Sequence, residues 1–160
     1  LTVPGFSGSA AAFAFGVFWI VITIGRVLGG FVVEAIGRFR TVLISTLVTA
    51  AGILVFMLGE VIALPFLGLV LWGLGMSMGF PMAVAAMSDD PRKAPFRINM
   101  IITVVYISSI SVGPALGSVE EVAGIYVAFS ILLALIILSA ILSPVTKKLP
   151  LEEPENILVR

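Results

Sequence analysis

Residues 25–40 read GRVLGGFVVEAIGRFR, and this stretch decides the fold. It closes one long apolar run and opens the next. Small residues lead to an acid, Glu34, then to Gly37 with Arg38 and Arg40 close behind. In so apolar a chain, this order marks a water-facing turn between two membrane-spanning helices.

The surroundings support that reading. The 160 residues are 60% hydrophobic and 11% charged, with a mean hydropathy of +1.23. A soluble domain carries roughly 25% charged residues, so there is too little polar surface here to cover a water-soluble globule. Net charge is zero, which gives no general attraction to nucleic acid. Without Cys there is no disulfide framework and no thiolate nucleophile or metal ligand. Without His the commonest general base and metal ligand is gone. No cofactor or metal site is expected. The chain starts at Leu1 and enters an apolar run with no basic leader, so it reads as a piece of a longer protein.

Uncharged runs cover 1–25, 41–59, 61–88, 98–119 and 122–146. A spanning helix needs about 20 apolar residues. The expected helices lie near 10–33, 41–58, 62–87, 97–117 and 123–143. Ser7 and Ser9 are N-cap candidates for the first. Pro91 and Pro95 bracket the loop before the fourth, and Pro144 follows the last. Residues 149–160 are expected to form a mobile tail.

The basic residues set orientation. Arg38 and Arg40, then Arg92, Lys93 and Arg97, then Lys147, Lys148 and Arg160 occupy three segments that five crossings place on one side. The opposite loops hold only Glu60, Glu120 and Glu121. The positive-inside rule makes the basic side cytoplasmic. The protein is therefore expected in the cytoplasmic (inner) membrane, with its carboxyl terminus in the cytoplasm.

Close helix packing in lipid favours small residues. Gly25 and Gly29, Gly75 and Gly79, and Gly113 and Gly117 have that spacing, so the first, third and fourth helices are expected inside the bundle. The second and last are expected to face lipid. Pro81 and Pro114 are potential kinks. The segment at 25–35 also echoes GPALGSVEEVA at 113–123, as an inverted repeat would.

These residues resemble the major facilitator superfamily, whose signature loop reads roughly G-x-x-x-D-[RK]-x-G-R-[RK]. Gly30, Glu34, Gly37, Arg38 and Arg40 fit it; Glu34 replaces Asp, while Ala35 and Phe39 replace basic residues. These departures match the second copy of the loop, between the eighth and ninth helices. GLGMSMGFP at 73–81 resembles the tenth helix, and SVGPALGSVEEVAGIYVAF at 111–129 the hairpin of the last two. The GFP and GPALG segments look most similar to the fucose-permease-like and sugar- or drug-permease branches.

The resemblance implies an all-α membrane protein. Residues 1–148 would hold helices eight to twelve of a twelve-helix bundle, part of its C-terminal six-helix half. Its partners would be the missing N-terminal half, the lipid bilayer, a small-molecule solute and, where transport is driven, a coupling ion. Glu34 would meet the positive end of a helix in the missing half. Two readings stand for Arg38 and Arg40, bracing the loop or simply obeying the positive-inside rule. Two also stand for the intramembrane charge Arg26, gating the cavity or snorkelling to the interface. Trp72, Ser77, Asn99 and Tyr106 are candidates to line the cavity, together with Ser108 and Ser109; interhelical hydrogen bonding is the alternative.

The expected function is therefore part of a secondary transporter working by alternating access. The alternative is a truncated, non-transporting remnant or scaffold. An enzyme is not expected: no metal cluster, nucleophile elbow or phosphate loop is present.

Overall fold

The computed structural model describes residues 8–59 and 63–147, apart from the side chain of Ala11. Six α-helices follow one another in this part: α1 Gly8–Ile36, α2 Arg38–Leu58, α3 Ala63–Met76, α4 Gly79–Met87, α5 Ala94–Ala123 and α6 Ile125–Leu142. A short 3-10 turn, Ser143–Thr146, closes the described part. No strand occurs among the described residues. Because α3 and α4 form one interrupted span, five segments are long and apolar enough to cross a membrane. Ser7, Glu60, Lys148 and the tail at 149–160 lie outside the described residues.

The helices run past the charges used to bound them. Arg26 and Glu34 both lie within α1, and Arg97, Glu120 and Glu121 within α5. A charge ends the hydrocarbon-embedded stretch, whereas a helix ends where its hydrogen bonding ends. The 30 residues of α5 rise about 45 Å, more than the ~30 Å hydrocarbon core, so its charged ends reach the interface. Ser9 is inside α1 and not its cap.

Two chain reversals need glycine. Gly37 (φ 80°, ψ 161°) separates α1 from α2, and Gly124 (φ 87°, ψ 160°) separates α5 from α6. With a side chain this backbone is strained. A single residue therefore turns the chain in each hairpin.

Pro81 explains the break between α3 and α4. It has no N–H, and its ring opposes the carbonyl four residues earlier, at Ser77. The ladder tightens there, with Ser77 N–H bonding to the Leu74 carbonyl at 3.3 Å and Ser77 Oγ bonding to the same oxygen at 2.6 Å. Gly25 and Gly29 of α1 receive the displaced side chains, Gly25 against Ser77 and Gly29 against Met78. Pro114, by contrast, lies within an unbroken α5.

The packing order differs from the expectation. The second helix, not the fourth, is central: α2 packs chiefly on α3 and then on α6. Its seam is Ser45, Thr49, Gly52 and Phe56, which meets Gly68, Trp72 and Gly75 of α3 in antiparallel order. A Cβ at Gly52 would collide with the Trp72 backbone, and one at Gly68 with that of Phe56. α5 buries none of its residues, and nothing lies near Gly113 or Gly117. The same spacing of glycines thus packs in α1 and stands open in α5. The seam in α2 was hidden because Ser and Thr supply its small residues.

An aromatic cluster fills one level of the bundle. Trp72 meets Phe18 at 5.4 Å, Phe129 at 5.9 Å and Phe56 at 6.2 Å, all near edge-to-face, the favoured geometry for such pairs. It joins α1, α2, α3 and α6.

Gly52→Val is expected to destabilise the helical bundle by about 1–3 kcal/mol through overpacking, and Gly113→Val by no more than about 0.5 kcal/mol. Unfolding followed by circular dichroism in detergent measures both.

Candidate functional site

The signature-like stretch and two distant segments meet at one end of the bundle, on Arg38. This residue opens α2 immediately after the Gly37 turn. Its guanidinium faces Asp89, in the loop after α4, in a two-pronged arrangement: Nη1 donates to Oδ1 at 2.9 Å and Nη2 to Oδ2. Nη1 also donates to the Ala85 carbonyl at 3.0 Å, and Nε to the carbonyl of Thr146. One side chain thus ties together the start of α2, the end of α4 and the turn after α6.

The chemistry suits arginine specifically. Its planar fork presents donors at fixed angles, so it can satisfy a carboxylate with two parallel bonds and still reach further acceptors. Both side chains are largely shielded, 12% exposed for Arg38 and 13% for Asp89. Removing Asp89 takes the carboxylate from a shielded guanidinium, which costs more than an exposed ion pair is worth.

Neighbouring residues complete the end face. Thr41 caps the Gly37 turn from within, its N–H and Oγ both donating to the Gly37 carbonyl at 3.1 and 2.9 Å. Asp90 turns the other way from Asp89. It accepts the Arg92 N–H at 3.1 Å and faces Lys93 at 3.8 Å, which shapes the loop locally. Lys147 lies 4.9 Å over the ring of Phe39, a cation–π contact. A cavity of about 530 Å³ opens beside these groups, walled by Val33, Ile36, Phe39 and Met82.

The expected site residues therefore divide. Arg38 and Gly37 form the junction. Arg40 is exposed at the cavity edge. Gly30 has open space where a Cβ would stand. Arg26, Gly30 and Glu34 follow one another at four-residue spacing, so they share one stripe of α1, and all three are exposed. Trp72 belongs to the aromatic cluster, with Nε1 donating to Met76 Sδ at 2.9 Å. Ser77 is buried at the helix break. Asn99 and Tyr106 lie exposed on α5, at two-turn spacing. The structure does not bring these cavity candidates together with Arg38.

Asp89 and the carbonyls of Ala85 and Thr146 were missed. Asp89 had a usable signal: an acid at the basic end of an odd number of crossings has an arginine within reach. The carbonyls had none, because a backbone acceptor leaves no mark on sequence.

Comparison with known proteins agrees with this architecture. The family model of the Major Facilitator Superfamily matches residues 3–158. The chain is also similar to an uncharacterized MFS-type transporter of Yersinia pestis, 29% identical over 129 residues. That match covers 80% of this chain and 34% of the relative, so the chain spans about a third of the relative's length. No solved structure matches.

Arg38→Ala is expected to destabilise the bundle by about 3–5 kcal/mol, and Arg40→Ala, an exposed position, by less than about 1 kcal/mol. Chemical unfolding of the detergent-solubilised chain distinguishes the two.

Proposed function

This chain belongs to the major facilitator superfamily, and we propose that it is part of the C-terminal half of a secondary transporter. Family membership points to a transporter and away from an enzyme. In the proposed reading, residues 1–148 supply the last five helices of a twelve-helix protein. That protein moves a small solute across the cytoplasmic membrane by alternating access.

The observation that carries this reading is the Arg38 junction. It sits where the family's signature loop sits, and it fastens three segments of one helix end into a single unit. Alternating access requires each half to move as a body, and a fastened end face is what such a body needs. The face holding Arg38, Arg40, Arg92, Lys93 and Lys147 is assigned to the cytoplasm by the positive-inside rule.

Two exposed surfaces support a missing half. α5 buries nothing within this chain. The stripe of Arg26, Gly30 and Glu34 on α1 is also uncovered. Covering by the rest of the transporter explains both, and gives Glu34 a helix end to approach and release. A carboxylate at such an end gains about 0.3–1 kcal/mol. That is enough to bias an equilibrium between two states without locking it. Arg26, on the same stripe, is then placed to meet an anionic group in the cavity. Asn99 and Tyr106, on exposed α5, are the cavity-lining polar groups of this half. Any coupling ion is assigned to the rest of the transporter, since no acid among the described residues lies mid-span.

In the full-length transporter reconstituted in liposomes, Glu34→Gln and Arg38→Ala should each lower solute flux at least about tenfold, with membrane insertion retained. A barrier rise of about 1.4 kcal/mol is enough for that. Flux at the unmodified level in both variants would reject a switching role for this end face. Absence of flux from the unmodified protein, under any solute or ion gradient, would reject transport itself.

A further inference from the structure

The cavity beside the Arg38 junction has a charge imbalance that the junction does not use. Among the described residues its lining includes three cations, Arg38, Arg40 and Lys147, and no carboxylate. Asp89 neutralises Arg38 from the side. Arg40 and Lys147 are both exposed, and no ion pair to either occurs among the described residues. Two positive charges therefore border one cavity of about 530 Å³.

The rest of the wall is apolar. Val33 and Ile36 come from the last turns of α1, Met82 from α4 and Phe39 from α2. The cavity lies at the ends of helices long enough to cross a membrane, where hydrocarbon gives way to headgroups. Phe39 holds Lys147 in place through its ring. Arg38 does so through the backbone, since Nε binds the carbonyl of the preceding residue, Thr146. Lys147 is thus positioned by the structure, while Arg40 stands exposed at the cavity edge.

A ligand that fits is negatively charged at one end and apolar next to that charge. We propose that this cavity binds the phosphate headgroup of an anionic phospholipid from the leaflet at the basic face. Arg40 and Lys147 take the phosphate oxygens, and the first glycerol and acyl carbons lie against Val33, Ile36 and Met82. The occupant is committed by charge complementarity and by position. A soluble anion would use the two cations but gain nothing from the apolar wall. A bound lipid would also bridge α2 and the turn after α6, the two elements that Arg38 already joins. The inference needs these helices to span a bilayer; it does not need the protein to transport.

The test is native mass spectrometry of the detergent-purified chain, with dioleoylphosphatidylglycerol or dioleoylphosphatidylcholine added. The unmodified chain should retain the glycerol lipid about thirtyfold better than the choline lipid, the scale expected for two basic groups at an anionic surface. The Arg40→Gln, Lys147→Gln double variant should lose that preference. Arg92→Gln, which removes an exposed charge from the same face, should keep it. Arg40→Lys should restore most of what Arg40→Gln loses. Both targets are exposed, so the variants should keep their helices, which circular dichroism checks. An equal preference in the double variant and the unmodified chain would overturn the proposal. So would an equal loss in Arg92→Gln, which would indicate only a diffuse basic surface. Displacement of the lipid by excess inorganic phosphate would overturn it in favour of a free-anion site. No flux is read, so the outcome is independent of transport.

Discussion

The two-pronged pair between Arg38 and Asp89 holds this chain's end face together. It joins residues 51 positions apart, and the same guanidinium reaches the turn after α6 through Thr146. In lipid, helices gain little by hiding apolar surface from one another, so polar contacts and close backbone approach must supply cohesion. The polar contact is at one end. The close approach is along α2 and α3, where Gly52, Gly68 and Gly75 let the backbones meet. The two act on the same pair of spans. The seam fixes how α2 and the α3–α4 span slide, and Arg38 fixes how their ends meet.

This division explains how the broken span is kept in shape. Pro81 frees the ladder at Ser77, and α1 fills the resulting gap by presenting glycine to Ser77 and Met78. Beyond the break, α4 is only nine residues long, too short to hold its own direction. Its far end is anchored instead by Arg38, through the Ala85 carbonyl and Asp89. The half-helix is thus held at both ends. α5, joined to α6 by the Gly124 turn and touching α4, has no buried residue among those described.

Much of this was legible in sequence, for physical reasons. Five spans follow from the scarcity of charge between positions 1 and 146, and the Gly37 turn from a glycine set between two long apolar runs. What misled was treating charges as helix ends. Glu34, Glu120 and Glu121 lie inside helices, because charge limits immersion and not hydrogen bonding. Counting only glycine as small also misled. Ser45 and Thr49 place α2 at the centre, while Gly113 and Gly117 mark a helix with no neighbour on that side. At the site, the importance of Arg38 was readable from its place in the signature loop. A shielded carboxylate and two carbonyls surround it, contacts that a plain orientation signal does not require. Arg40, two residues on, makes none of those bonds, and no sequence rule separates the two.

The central claim is that Arg38 and Asp89 act as one unit. A double-mutant cycle measures this directly, from the unfolding free energies of the chain, Arg38→Ala, Asp89→Ala and the two combined. The account predicts strong coupling, about 2 kcal/mol or more, so that the second substitution adds little to the first. Additive losses, with coupling below about 0.5 kcal/mol, would contradict it and leave Arg38 as merely one more positive charge on the basic face.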